Sequence, residues 1–379
     1  MIKPAGAACN LACEYCYYLE KSKLYAGGPA RMDDATLERV TAAYLHTHPG
    51  PEVVFGWQGG EPLLMGRDFF RRAQELQARY ARPRQQVLNA LQTNGTLIDD
   101  AWAALFAEQH FLVGISLDGP PDLHDRYRRD RGGQPSHARV LAGLECLQRH
   151  GVEYNILATV NRATAAEPLR VYRYLAGLGT NFLQFIPIVE REAPGSRKVT
   201  AWSVRPEAFG AFLCDSFDYW ARHDVGRIYV QIFESTLNVW LGGLPTVCTF
   251  TPTCGRALAV EFTGDLYACD HFVTPEYHRG EVDEGIATLI DGGPQRDFGR
   301  EKANLAVPCQ RCPVRRHCGG DCPKHRLRQA EDGRPISYLC PAYQRFFTHS
   351  APVLQAMAGE LQAGRPATNV MEVLRGEIP

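Results

Sequence analysis

Short apolar segments and amphipathic helical segments alternate six times along the first 235 residues, and that alternation leaves few folds open. Strand candidates lie at 2–7, 53–58 (VVFGWQ), 86–93 (QVLNALQT), 111–118 (FLVGISLD), 153–160 (EYNILATV) and 182–189 (FLQFIPIV). Gly, Pro, Asn or Asp bounds each of them, as strand ends require. Helical periodicity fills the intervals at 33–47, 67–80, 99–109, 136–150, 166–178 and 206–222, the first opened by Asp33 and Asp34 as N-cap candidates. Serial repetition of this kind predicts an α/β fold, a parallel sheet with helices outside, either curled into a barrel or open. Active sites of such folds gather at the C-terminal ends of the strands. Conspicuous polar or glycine-rich stretches fall at those ends: cysteines after the first strand, GGEP after the second, TNG after the third, SLDG after the fourth. Together they predict one shared binding face.

The alternation stops near 235–245. Beyond it, GGLPTVCTFTPTCGRALAVEFTGDLYACDHF reads as loops with a hairpin across Gly264-Asp265. SAPVLQAMAGELQAG reads as a terminal helix followed by a loose tail. The expected organisation is therefore residues 1–235, 236–348 and 349–379.

Composition narrows the function classes. The 379 residues are 45% hydrophobic and 22% charged with a formal net charge of -1, so no global field would recruit nucleic acid or an anionic membrane. The basic run RYRRDR (126–131) is interleaved with Asp130 and followed by Gly-Gly, and is read as a solvated loop. The N-terminus lacks the apolar core of a signal peptide, and no apolar run approaches the ~20 residues of a membrane helix. A cytoplasmic protein is expected. Its thirteen cysteines are then poorly explained as a disulfide framework, and metal binding or catalysis becomes the better reading.

Cys146 and Cys214 lie in helical, apolar-rich surroundings and read as small buried hydrophobes. The other eleven are clustered. Cys9, Cys13 and Cys16 are spaced C-x3-C-x2-C, so that three thiolates can converge from one loop. Soft thiolates select zinc, copper(I) or iron–sulfur clusters. A cubane held by three cysteines leaves one iron open for chemistry, whereas zinc would need a distant fourth ligand. Eight more follow at 248, 254, 269, 309, 312, 318, 322 and 340, enough for two four-cysteine sites, iron–sulfur or zinc.

The C-x3-C-x2-C motif with Tyr15 before its last cysteine resembles the radical S-adenosylmethionine (SAM) enzymes, as do GGEP (59–62), QTNGTL (92–97), and Ser116 and Asp118 in GISLDG. The resemblance implies a partial (β/α)6 barrel. Cys9, Cys13 and Cys16 would hold a [4Fe-4S] cluster whose fourth iron binds SAM. Gln58, Gly59, Gly60, Glu61 and Ser116 would line SAM, and Tyr15 would pack on its adenine. Glycines at 59 and 60 would permit close backbone approach, and Glu61 would accept from an ammonium group. Tyr17 reads equally well as core packing.

The run CQRCPVRRHCGGDC resembles the SPASM extension of these enzymes, which carries two auxiliary [4Fe-4S] clusters. The family pattern assigns Cys248, Cys254, Cys269 and Cys322 to the first, and Cys309, Cys312, Cys318 and Cys340 to the second. His317 and His325 are then surface groups or supports for the ligands. Over most of the chain the sequence is similar to anaerobic sulfatase-maturating enzymes, through KPAGAACNLACEYCYYLEK, VVFGWQGGEPLLMG, QTNGTLID, GISLDGPPDLHDRYR, LQFIPIVE and GDLYACDHFV. That likeness implies oxidation of a Cys or Ser in a sulfatase Cys/Ser-x-Pro/Ala-x-Arg motif to Cα-formylglycine. A deoxyadenosyl radical would take a Cβ hydrogen, and a base the thiol or hydroxyl proton. The second electron would leave through an auxiliary cluster. Asp270 matches the family's general base and Tyr18 a tyrosine near the substrate. A reducing partner such as flavodoxin or ferredoxin is implied. The alternatives are another SPASM peptide maturase, forming a crosslink or an epimerised residue, and a non-catalytic zinc-binding interaction module.

Overall fold

In a computed structural model, residues 1–21, 24 and 31–376 are described. The strands are β1 (Ile2–Lys3), β2 (Glu52–Trp57), β3 (Gln86–Thr93), β4 (Leu112–Ser116), β5 (Tyr154–Val160), β6 (Phe182–Pro187), β7 (Tyr229–Val230), β8 (Ala259–Glu261), β9 (Asp265–Tyr267) and β10 (His278–Glu281). The six expected strands and six expected helices all form, with their ends moved by a few residues. The first strand is the most shortened, because the chain turns at Pro4 into the cysteine loop.

The chain divides into two compact units. The first comprises Met1–Ser116, His124–Tyr154 and Gly255–Gly299. Here β1, β2, β3 and β4 pair in parallel in chain order, with Ile2 opposite Trp57, Trp57 opposite Leu91, and Thr93 opposite Ile115. On β2 every second residue is buried, and Val53, Phe55 and Trp57 are wholly so. They face the helices Asp34–Thr47 and Arg67–Tyr80, where Phe70 and Leu76 are equally enclosed. Complete burial of an aliphatic or Phe side chain contributes roughly 1.5–3 kcal/mol. The Trp57 indole donates to Asn89 Oδ1 at 2.8 Å, and Asn89 exchanges two 2.9 Å bonds with Gln77, so these three polar side chains satisfy one another within the core. Asp33 caps its helix by accepting from the Thr36 amide at 2.7 Å. The opposite strand face is barer, with Val54 44% exposed.

The sequence boundary near 235–245 does not coincide with the division between units. The hairpin β8–β9 joins the first unit because β8 pairs in parallel with β1, Ile2 opposite Val260, and β10 then adds antiparallel to β9. That pairing carries Cys269 and Asp270 into the same unit as the N-terminal cysteine loop.

The second unit comprises Leu117–Leu123, Asn155–Cys254 and Arg300–Pro379. It holds the parallel strands β5, β6 and β7, with Leu183 opposite both Ile156 and Val230. Its long helix runs Cys340–Gln362 and is followed by a short helix, Asn369–Arg375, where a loose tail was expected. The terminal element thus starts at the last cysteine rather than near 349. Pro341 suits the first helical turn, and Phe346 packs against Phe233, itself against Phe217, on the neighbouring helices Gln231–Trp240 and Pro206–His223. The sequence boundary fell there because apolar periodicity is plainest only after Ser350. Among the described residues, no helix is long and apolar enough to cross a membrane.

Candidate active site

The N-terminal cysteine loop is built from its own turns and from three outside clamps. Within it, Gly6 N donates to Lys3 O, and Cys16 N to Cys13 O at 3.1 Å. The first clamp is GGEP. Gly60 N donates to Gly6 O at 2.8 Å and Glu61 N to Ala8 O at 2.7 Å. A Cβ on Gly60 would lie 2.0 Å from Ala8 O, and Gly59 sits at φ +130°. These glycines therefore let the strand end approach the cysteine loop itself.

Glu61 is fully buried and is the second clamp. Its carboxylate accepts from Leu63 N at 3.0 Å, Thr93 Oγ1 at 2.8 Å and Asn94 N at 2.8 Å, tying the end of β2 to that of β3. Burial pushes its carboxyl up to about 7 despite those donors. Asn94 in turn donates to Asn10 Oδ1 at 2.8 Å and reaches Cys9 Sγ at 3.6 Å.

The third clamp was not anticipated. RYRRDR is not a free solvated loop: Ala12 N donates to Arg129 O at 2.8 Å, Glu14 N to Tyr127 O at 3.1 Å, and Arg131 Nε to Cys9 O at 2.9 Å. Arg128 is buried and lies over the Tyr15 ring, 5.7 Å from its centre, with Tyr127 beside it at 6.1 Å. Charge content suggested solvation, but the backbone of this run carries the pairing. Of the remaining expected cofactor residues, Gln92 Nε2 donates to Ser116 Oγ at 3.0 Å across β3 and β4. Gln58 continues β2, its amide against Met1 Sδ.

The loop's far end leads into a buried charged cluster around Asp270. Tyr17 donates to Asp270 Oδ2 at 2.5 Å and Tyr18 to Oδ1 at 2.8 Å. Lys3 and Lys21 both pair with the carboxylate, Lys21 at 3.4 Å, and Lys21 also donates to the Asp270 carbonyl oxygen. Lys3 reaches Glu261 at 3.5 Å, and both ammoniums lie over tyrosine rings, Lys21 being 4.4 Å from the centre of Tyr18. Burial alone would raise the Asp270 carboxyl, but Lys21, Lys3 and His271 outweigh it and hold it well below the ordinary range. Burial lowers Lys21 to about 8 in spite of Asp270. Tyr17, read from sequence as possible packing, is thus a second phenol on Asp270. Lys3 and Lys21 were missed as site residues; their only signal is that they bracket the cysteine loop.

The donor set fits the expected iron–sulfur chemistry. The N-terminal loop offers the soft sulfur donors such clusters take, and Cys9 Sγ accepts from the Leu11 amide at 3.3 Å. Among the described residues, no group of three or more His, Cys, Asp or Glu side chains is drawn together around a single ion. In the second unit, Cys309, Cys312, Cys318, Cys322 and Cys340 lie on short turns and at the start of the long helix. Gly319 is forced at φ +55°, where a Cβ would meet Phe250 O at 2.2 Å. His317 and His325 are not surface groups. His317 is buried beside Trp240 at 4.8 Å, and His325 pairs with the buried Asp321 at 3.3 Å. Cys146 and Cys214 are buried in helices, as expected.

Residues 4–175 match the Radical SAM superfamily. The chain is 42% identical over 392 residues to the serine-type anaerobic sulfatase-maturating enzyme of Bacteroides thetaiotaomicron, covering 99% of this chain and 94% of that one. It is 32% identical to the cysteine-type enzyme of Clostridium perfringens, covering 96% and 98%. A solved structure of anSMEcpe with bound AdoMet and the Kp18Cys peptide superposes with a TM-score of 0.86 at 31% identity, over 94% of this chain and 98% of that one. Streptococcus suis SuiB bound to S-adenosylmethionine shares the fold at a TM-score of 0.62 and 12% identity, over 89% of this chain and 76% of that one. Likeness in sequence and in fold thus extends over nearly the whole length, and the chain belongs to the anaerobic sulfatase-maturating enzymes of the radical SAM superfamily.

Proposed function

We propose that this protein oxidises a Cys or Ser side chain of a sulfatase polypeptide to Cα-formylglycine, with Asp270 as the proton acceptor. The observation that carries the reading is the placement of a buried, charged carboxylate, one residue after Cys269, in the same compact unit as Cys9, Cys13 and Cys16. Those three cysteines would hold a [4Fe-4S] cluster, and Gln58, Gly59, Gly60, Glu61, Ser116 and Tyr15 would shape the SAM site beside it. The eight C-terminal cysteines would hold two auxiliary clusters in the division that the sequence pattern assigns. When bound, these groups supply the 5′-deoxyadenosyl radical that removes the Cβ hydrogen and the acceptor for the remaining electron.

The chain's own residues then have defined tasks. Gly59 and Gly60 seat the cysteine loop, and Glu61 locks that seat to β3. Lys3 and Lys21 keep Asp270 charged and fixed. Tyr17 and Tyr18 fill its oxygens until the substrate's thiol or hydroxyl takes over one of those bonds. A carboxylate so stabilised is a weak base at rest, and proton transfer to it becomes easier as loss of the Cβ hydrogen acidifies the attached S–H or O–H and the remaining electron departs. A low-potential reductant such as flavodoxin or ferredoxin would supply the starting electron.

Anaerobic reconstitution should give about twelve irons per chain for three four-iron clusters. With dithionite and SAM, a peptide deuterated at Cβ of its Cys or Ser should pass deuterium to 5′-deoxyadenosine. Unlabelled deoxyadenosine alongside oxidised peptide would rule out the Cβ abstraction.

A further inference from the structure

Lys302 is completely buried in the second unit. Its ammonium donates to the backbone oxygens of Cys248 and Thr249, the latter at 2.9 Å, and its own carbonyl accepts from Arg326 at 2.7 Å, which fixes the residue in place. Carbonyl dipoles alone are a poor home for a buried cation, which needs an anion to offset its desolvation. Among the described residues no carboxylate makes an ion pair with it. Asp321 contributes some negative field but is committed to His325 at 3.3 Å and Ser337 at 2.6 Å. The sulfurs of Cys254, Cys248 and Cys322 also act on the ammonium, and become anionic when they ligate a metal. All three belong to the set assigned to the first auxiliary cluster.

We propose that Lys302 is the fixed counter-charge of that auxiliary cluster and holds its reduction potential up, making it the readier acceptor of the electron that the substrate gives up. This rests on the ligand assignment under the proposed function. Adding one electron to a thiolate-bound cluster makes it more negative by one charge, and a buried cation nearby lowers the cost of that addition. No proton needs to move. Lys302 need not touch substrate or SAM, so it acts through the potential alone.

The test uses the full chain carrying Cys9→Ala, Cys13→Ala and Cys16→Ala, so that the auxiliary clusters alone titrate. Iron is counted first, and then the midpoints are measured by anaerobic redox titration followed by electron paramagnetic resonance. Lys302→Met should shift the reduction equilibrium of one cluster on the order of tenfold against reduction, about 59 mV downward for a one-electron couple, with Lys302→Arg close to the parent. Full iron content in Lys302→Met with unchanged midpoints overturns the proposal. If Lys302→Met fails to hold that cluster, Lys302→Arg decides. Retention at the parent potential supports a role for charge, and loss in both variants shows that shape, not charge, is what matters. A parent protein without auxiliary iron would instead overturn the ligand assignment beneath the proposal.

Discussion

Replacing Asp270 by Asn tests structure and chemistry at once, because the residue is both the anion between two lysines and the proposed proton acceptor. The Asn oxygen can still accept from Tyr18, but its amide nitrogen replaces the oxygen that accepts from Tyr17 at 2.5 Å, and the charge facing Lys3 and Lys21 is gone. Removing one partner of a buried ion pair costs ~3–5 kcal/mol, since the surviving charges stay desolvated. Glu261, 3.5 Å from Lys3, offsets part of that, which places the expected loss toward the lower figure. Loss of a general base lowers a rate by about 10²–10⁴-fold. The two effects separate in a double variant. Lys21→Met with Asp270→Asn removes one stranded ammonium and should recover stability without recovering product. The assay follows 5′-deoxyadenosine and oxidised peptide in the same anaerobic reaction, and denaturant midpoints for each variant. Asp270→Asn should still cleave SAM while product falls by the stated factor. Product formed at the parent rate by a folded Asp270→Asn protein would refute the assignment of Asp270 as the base.

Other consequences are equally concrete. Glu61 protonates near 7 in the folded protein against an ordinary value of 4.5, so between those pH values the folded state binds more protons. Apoprotein stability should therefore fall as pH rises from about 4.5 to 7, a loss that Glu61→Gln should remove; parallel pH curves for the two proteins would contradict the shift. Gly60→Ala places a methyl 2.0 Å from Ala8 O, and the loop must move. Overpacking of this kind costs about 1–3 kcal/mol, and the variant should also bind about four fewer irons while the auxiliary clusters persist. Unchanged iron would mean that Gly60 does not seat the loop. Arg131→Ala removes the 2.9 Å bond to Cys9 O on an exposed edge and should cost about 0.5–1.5 kcal/mol with iron retained.

The sequence carried the framework well, for a physical reason. Parallel strands such as Glu52–Trp57 and Gln86–Thr93 are short runs between strong breakers, and Asp33 announces its helix by capping it. What it did not carry was pairing between distant segments. Nothing local in Ala259–Glu261 says that this strand adds beside Ile2–Lys3, yet that contact brings Asp270 to Tyr17, Tyr18, Lys3 and Lys21. RYRRDR misled because its charges are conspicuous and its backbone, which does the pairing, is silent in sequence. GGEP was legible as a motif, but the steric reason for Gly60, the carbonyl of Ala8, required coordinates.

The proposed reaction leaves a product that can be weighed. Reconstituted protein, dithionite and SAM are incubated anaerobically with peptides containing Cys-x-Pro-x-Arg or Ser-x-Pro-x-Arg, and the peptides are weighed by mass spectrometry. The expected result is an aldehyde, seen as a loss of about 18 mass units from the Cys peptide or about 2 from the Ser peptide: two-electron oxidation with the bound cofactors gives the aldehyde directly from Ser, and from Cys a thioaldehyde that water hydrolyses with release of hydrogen sulfide. Deoxyadenosine released while both peptides keep their mass, or gain a crosslink or an inverted centre instead, would contradict it.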